Sequence, residues 1–302
     1  REIARLMAPG FRGSAIYQVN IYVASLLAYK IDDSAATWMF YANRLMELPI
    51  GVFAIAVSTV VYPLIARHVV ERKFDAMADD FRRGVRLILL INLPAAAGLA
   101  LLSDPIVRLL LQHGAFTATD AQATAGLLTL FVIGMPFFSV VNLTVRAFYA
   151  VKDTATPVRV AMIDFLVNLG LSLVLMHWFG VAGLVLASTS AIVVQTLLLK
   201  RALTRRLPGI TLAPLLPSVV RVLVATLAMG VIGAGGWWWL DGAGVLPGTF
   251  TLIYFKVRAA DLAAVLGLIP LGVVVYVATL FALKIEGREE LVMLARRFFK
   301  RG

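Results

Sequence analysis

Leu262-Ala-Ala-Val-Leu-Gly-Leu-Ile-Pro-Leu-Gly-Val-Val-Val-Tyr-Val-Ala-Thr-Leu-Phe-Ala-Leu283 is a run of 22 residues without one charged side chain. Coiled as an α-helix it covers about 33 Å, enough to cross the ~30 Å hydrocarbon core of a bilayer. Seven more apolar blocks of similar character precede it, at 10–29, 38–65, 85–102, 121–150, 157–178, 181–199 and 219–240. The composition agrees: of 302 residues 61% are apolar and 15% charged, and the mean hydropathy is +0.89. Soluble domains carry roughly 45–50% apolar and ~25% charged residues. The expected fold is therefore an all-α integral membrane protein with about eight transmembrane helices.

Catalytic chemistry finds no foothold in this sequence. The absence of cysteine removes disulfides, thiolate nucleophiles and cysteine-based metal sites. His68, His113 and His177 lie far apart with no ligand spacing. There is no Gly-x-Ser-x-Gly elbow, no P-loop and no dinucleotide fingerprint. Asp79-Asp80 opens like an acidic metal motif used on prenyl diphosphates, but the fifth position is Arg83, which leaves a solvated helix face. The chain reads as a non-enzyme without an organic cofactor. It starts at Arg1, in a basic semi-polar stretch, and reads as the later part of a longer protein whose N-terminal portion precedes it.

The net charge of +11 invites a nucleic-acid reading, which the placement of the charges opposes. Assigning loops alternately to the two sides places 23 Lys and Arg on the side that holds both chain ends. The other side receives four (Lys30, Arg108, Lys256, Arg258), and Arg44 remains inside a block. Basic loops face the cytoplasm in bacterial membranes, so both ends are expected there, in contact with anionic phospholipids. Three segments read as helices lying in the headgroup region: 69–83, the short helix opened by Ser103-Asp104-Pro105, and the basic tail 286–301. Trp237-Trp238-Trp239 fit the aromatic belt at the outer end of their block.

Charged groups inside a span cost ~2.5–3.5 kcal/mol on insertion scales and are functional candidates for that reason. Arg44 and Glu47, in Tyr41-Ala-Asn-Arg-Leu-Met-Glu-Leu-Pro49, share a helical face at spacing i,i+3 and can pair. One reading lines a hydrated cavity with them, Arg44 binding an anion through parallel guanidinium hydrogen bonds. The other is a structural helix–helix pair, or Arg44 snorkelling to the interface. Asp164, Asn168 one turn later, and Asn20 in the first block form a second polar set. They read either as oxygen ligands for a small hard cation such as sodium or as an interhelical hydrogen-bond network.

Four stretches taken together resemble the bacterial lipid II flippases, the MurJ/MviN family of the MOP exporter superfamily. They are Tyr41 to Gly51, Thr59-Val-Val-Tyr-Pro-Leu-Ile-Ala66, His113-Gly-Ala-Phe-Thr117, and Arg146-Ala-Phe-Tyr-Ala-Val-Lys-Asp-Thr-Ala-Thr-Pro-Val158. The resemblance implies a C-terminal portion: residues 1–206 a second six-helix lobe, 207–285 two added helices forming a lipid-tail groove, and 286–302 a basic amphipathic tail. It implies flipping of the undecaprenyl-diphosphate-linked peptidoglycan precursor, lipid II, by alternating access in the bacterial inner membrane. The first lobe would be the missing partner. The family's cavity arginine in an Arg-Leu-Met-Glu motif maps onto Arg44, with Glu47 as its partner. Coupling to sodium or to the membrane potential is implied as well, although Asn20 stands where some members carry an acid. The rival readings are a related polysaccharide-lipid exporter and a membrane scaffold that recruits cell-wall enzymes.

Overall fold

Backbone N–H and C=O groups find no partner in lipid, so an apolar run can enter a membrane only by satisfying them within itself, as helix. The computed structural model describes residues 2–207, 210, 213–242, 246, 248–252 and 255–285, and all eight apolar blocks are helical in it. The chain runs through α1 (Glu2–Tyr29), α2 (Ala35–Pro49), a π-helical turn (Ile50–Ala54), α3 (Ile55–Val70), α4 (Phe74–Leu101) and the short α5 (Ser103–Leu111). It continues with α6 (Ala118–Ala150), α7 (Ala155–Phe179), α8 (Val181–Arg206) and α9 (Leu216–Trp237). After a π turn (Trp238–Gly242) come β1 (Thr249–Leu252), β2 (Phe255–Arg258), α10 (Ala259–Ala263), another π turn (Ala264–Leu268) and α11 (Ile269–Ala282). Among the described residues six helical segments are long and apolar enough to cross a membrane. They lie in α4, α6, α7, α8, and the two composite rods Ala213–Gly242 and Ala259–Ala282. The first two blocks form the remaining rods: α1, and α2 to α3 interrupted by the π turn.

That interruption follows from Pro49. Proline has no N–H to give and its ring collides with the carbonyl four residues back, so the ladder widens just beyond it. Pro63, Pro94 and Pro136 sit inside α3, α4 and α6 without ending them. At Pro94 the carbonyl left without its usual donor belongs to Leu90. There the Tyr276 hydroxyl of α11 donates to the Leu90 oxygen at 2.6 Å. A break in one helix thus becomes a fastening point for another.

α6 is the central element, burying Leu128, Met135, Leu143, Ala147 and Phe148 along its whole length. One apolar core joins it to α3, α4, α8, α9 and α11, and a second to α2, α4 and α5. A smaller core ties α1 to α2, α7 and α8. α7 and α8 are linked by Gly180 alone, at φ +56°, and pack so tightly that a Cβ at Gly183 would lie 2.3 Å from the Leu175 carbonyl oxygen.

Two expectations change here. Residues 74–83 form the start of α4 itself, and Met77 and Phe81 are buried among its neighbours, so 69–83 is no separate interfacial helix. Apolar residues at helical spacing look alike whether they face headgroups or a protein core. The segment between α9 and α10 contains an antiparallel β-hairpin with Thr249 opposite Arg258, which no apolar alternation had announced. The helix starting at Ser103 is present, while the tail 286–301 lies outside the described residues.

Candidate functional site

The apolar positions of α2 fix which way Arg44 faces. Ala42, Leu45 and Met46 are buried in the core shared with α6, which leaves Asn43, Arg44 and Glu47 on the free side. Arg44 Nη1 donates to Glu47 Oε2 at 3.0 Å, and Asn43 Nδ2 donates to Glu47 Oε1 at 2.9 Å. Both carboxylate oxygens are therefore occupied by residues on their own helix, and the Tyr17 hydroxyl of α1 also reaches Glu47. The guanidinium carbon lies 5.2 Å from the Phe40 ring centre. The Arg44 side chain is 63% exposed and that of Glu47 30%. An ion pair so open contributes about 0–1 kcal/mol, too little to explain a charge placed here for stability. What it does is orient a guanidinium, one N–H engaged by Glu47 and the others free for an anion. The π turn begins one residue past Pro49, with Ile50 N–H bonded to the Glu47 carbonyl, so the widened backbone adjoins the site.

Two of the stretches singled out in the sequence are the turns at the two ends of α6, and the first of them supports this region. Gly114 turns the chain at φ +62°, and Thr117 caps α6 by a reciprocal pair of hydrogen bonds with Asp120. Asp120 Oδ1 also accepts from Trp38 Nε1 at 2.7 Å, and Phe116 meets Tyr41 edge-on at 5.6 Å. The start of α6 and the turn before it therefore fasten α2 at Trp38 and Tyr41, in the turns just before Arg44. In the other stretch, Lys152 closes α6 at φ +58° and Asp153 accepts from the backbone N–H and the hydroxyl of Thr156, opening α7. Arg206, at the end of α8, reaches Asp153 at 3.1 Å.

Asn20 and Asn168 lie within hydrogen-bond reach of each other. Asn168 Nδ2 donates to Asn20 Oδ1 at 2.7 Å, while Ser172 and Ser188 both donate to Asn168 Oδ1 at 3.3 Å. This part-buried network stitches α1, α7 and α8. Asp164, one turn earlier on α7, is half-buried and takes no part in it. Among the described residues no cluster of three or more His, Asp or Glu is arranged to hold a metal.

Sequence reading overlooked a charged cluster at the opposite end of the molecule from Asp153. Asp261, 3% exposed, lies 3.4 Å from Arg108 Nε of α5 and 4.0 Å from Arg258 Nη1, and Arg258 also holds Asp241. Arg108 in turn sits 5.8 Å from the ring centre of Trp237. The i,i+3 spacing of Arg258 and Asp261 was the available signal. His68 and Asp80, 2.8 Å apart between α3 and α4, left no such signal because they are on different helices.

A family model described as lipid II flippase MurJ matches residues 1–256. A probable lipid II flippase of Haemophilus influenzae is 34% identical over 235 residues, covering 76% of this chain and 46% of that protein. One from Vibrio cholerae is 30% identical over 287 residues, covering 94% of this chain and 52% of the other. A solved lipid II flippase MurJ in an inward closed conformation superposes with a TM-score of 0.75 at 25% identity, over 96% of this chain and 55% of that one. The chain thus spans about half the length of the curated relatives it matches.

Proposed function

Since the chain belongs to the MurJ family of lipid II flippases, we propose that it supplies one half of a machine that carries lipid II from the inner to the outer leaflet by alternating access. It is a transporter half in a multi-pass bacterial inner-membrane protein, with no bond-making step. Residues 1–206 form the second six-helix lobe, 207–285 a pair of added helices that shelter the lipid tail, and 286–302 a basic tail. Both ends face the cytoplasm, where the basic loops meet anionic phospholipids.

The observation that carries this reading is the presentation of Arg44. An anionic, sugar-bearing headgroup needs a hydrated basic surface within the membrane, and its diphosphate matches a guanidinium better than an ammonium. Glu47 holds one edge of Arg44 and leaves the rest of the fork open. The opposite lobe would face this surface, and rocking of the two lobes about it would expose the headgroup to each side in turn. Coupling to a sodium ion or to the membrane potential belongs to the same proposal. The Asp164 carboxylate, with Asn20 and Asn168 nearby, is the oxygen-rich set that suits a hard cation, and it would hold charge at mid-membrane.

Arg44→Lys tests the proposal, because it keeps the charge and removes the fork. Lipid II translocation is expected to fall at least tenfold, the loss expected of a charged bidentate contact worth about 1.5–3 kcal/mol, with normal membrane insertion. Translocation at the unaltered rate in both Arg44→Lys and Arg44→Ala would remove Arg44 from the substrate path. A rate that Lys preserves and Ala abolishes would leave charge without bidentate recognition.

A further inference from the structure

At the end of the molecule that holds Asp153, the last turns of α3 and α8, the start of α4 and the α6–α7 turn enclose a groove of ≈ 440 Å³. That is the scale of a small-ligand pocket. Its floor is apolar, with Val69, Val70, Phe74 and Val151, and its rim carries Lys152 and Arg206. Val70 is 83% exposed and Phe74 46%, so two apolar groups lie open beside two cations. We infer that this groove binds an anionic phospholipid of the cytoplasmic leaflet, its phosphate against Lys152 and Arg206 and its upper chains on Val70 and Phe74.

Charge complementarity selects the occupant. Two of the acids nearest the groove are already engaged, Glu71 by Arg67 at 2.7 Å and Lys73 at 2.9 Å, and Asp153 by Arg206 and Thr156, while Asp75, next to Phe74, is exposed. Lys152 has no acidic partner among the described residues. It also occupies φ +58°, a backbone conformation that glycine takes without strain, so the chain keeps a cation at this turn against local preference. Arg206 retains donors beyond the one given to Asp153. A phosphate above an apolar floor at the headgroup level is what a lipid offers and a free anion does not.

The inference rests on the orientation proposed above, and the experiment separates the two. Native mass spectrometry of the detergent-solubilised protein is titrated with phosphatidylglycerol, phosphatidylcholine and soluble glycerol 1-phosphate. Phosphatidylglycerol is expected to bind in preference to phosphatidylcholine, and Lys152→Gln to weaken it roughly fivefold, the worth of one basic residue at a membrane surface. Val70→Asn, at an exposed position where folding is not at stake, is expected to weaken phosphatidylglycerol as well and leave phosphatidylcholine unchanged. Equal binding of the two lipids, or unaltered phosphatidylglycerol binding in both variants, overturns the site. Lys152-dependent binding of glycerol 1-phosphate as tight as the lipid's overturns the lipid as its occupant. Because the sequence holds no cysteine, a single Val70→Cys reports orientation separately. Labelling by an impermeant maleimide applied outside intact cells would reverse the sidedness while the binding data stand.

Discussion

Lys152, Arg72 and Lys284 are the non-glycine residues at positive φ among the described ones, and all three are basic. Each stands two residues past a helix end, where its N–H and that of the next residue return to the last-turn carbonyls. Asp153 N–H, for example, meets the Phe148 oxygen at 2.9 Å. Glycine is the usual occupant of that position. A cation there meets the negative end of the helix dipole and adds to the charge of its side of the membrane, which offsets the backbone strain. Asp153, next along, shows how such a turn depends on pH. Burial raises its pKa, but the hydrogen bonds from Thr156 and the Arg206 guanidinium outweigh that and hold the carboxyl below its ordinary range. A carboxylate depressed in the folded state stabilises above its unfolded pKa of about 4 and loses that contribution as pH falls through the folded value. Acidifying the detergent-solubilised protein from pH 5 to pH 3 is thus expected to lower its thermal midpoint more than it lowers that of Asp153→Asn. Parallel midpoints for the two proteins would show that the depressed carboxyl is not what fails.

Elements were largely legible in advance, and the reason is solvent. A bilayer forces every apolar run into helix, so hydropathy alone locates α4, α6, α7, α8 and the last two rods. What hydropathy cannot carry is how helices are fastened to one another. Arg44 and Glu47 pair within one turn and were readable from spacing, whereas Arg108–Asp261, His68–Asp80 and Tyr276–Leu90 join residues distant in sequence. The Tyr276 contact yields a prediction at this scale. Tyr276→Phe should cost ~1 kcal/mol, the worth of one intramolecular hydrogen bond. In a Pro94→Ala background the same change should cost less, because the substituted alanine restores an N–H to the Leu90 carbonyl. Equal penalties in the two backgrounds, measured by denaturant unfolding, would mean that the tyrosine hydroxyl is not serving the carbonyl that the proline frees.

At the scale of the whole molecule, the final helices are attached at both levels of the membrane. Tyr276 joins α11 to α4 deep in the bundle, and Asp261 joins α10 to α5 near the other end. Asp261→Ala leaves Arg108 without its acid beside an apolar surface, while Arg258 keeps Asp241. Leaving a partly buried guanidinium without its acid should cost about 1–3 kcal/mol, read as a lower thermal midpoint in detergent. An unshifted midpoint would show that the last two rods do not depend on the Arg108–Asp261 cluster. The widened turn after Pro49 has a consequence of a different kind. A π turn holds one residue more than the α-helix around it, so it sets the angular phase between α2 and α3. Losing a single residue from Ile50–Ala54 would rotate Arg44 by about 100° about the helix axis relative to α3. The spacing between Arg44 and Pro63 is therefore as much part of the site as the arginine itself, and the segment can tolerate substitutions far better than insertions or deletions.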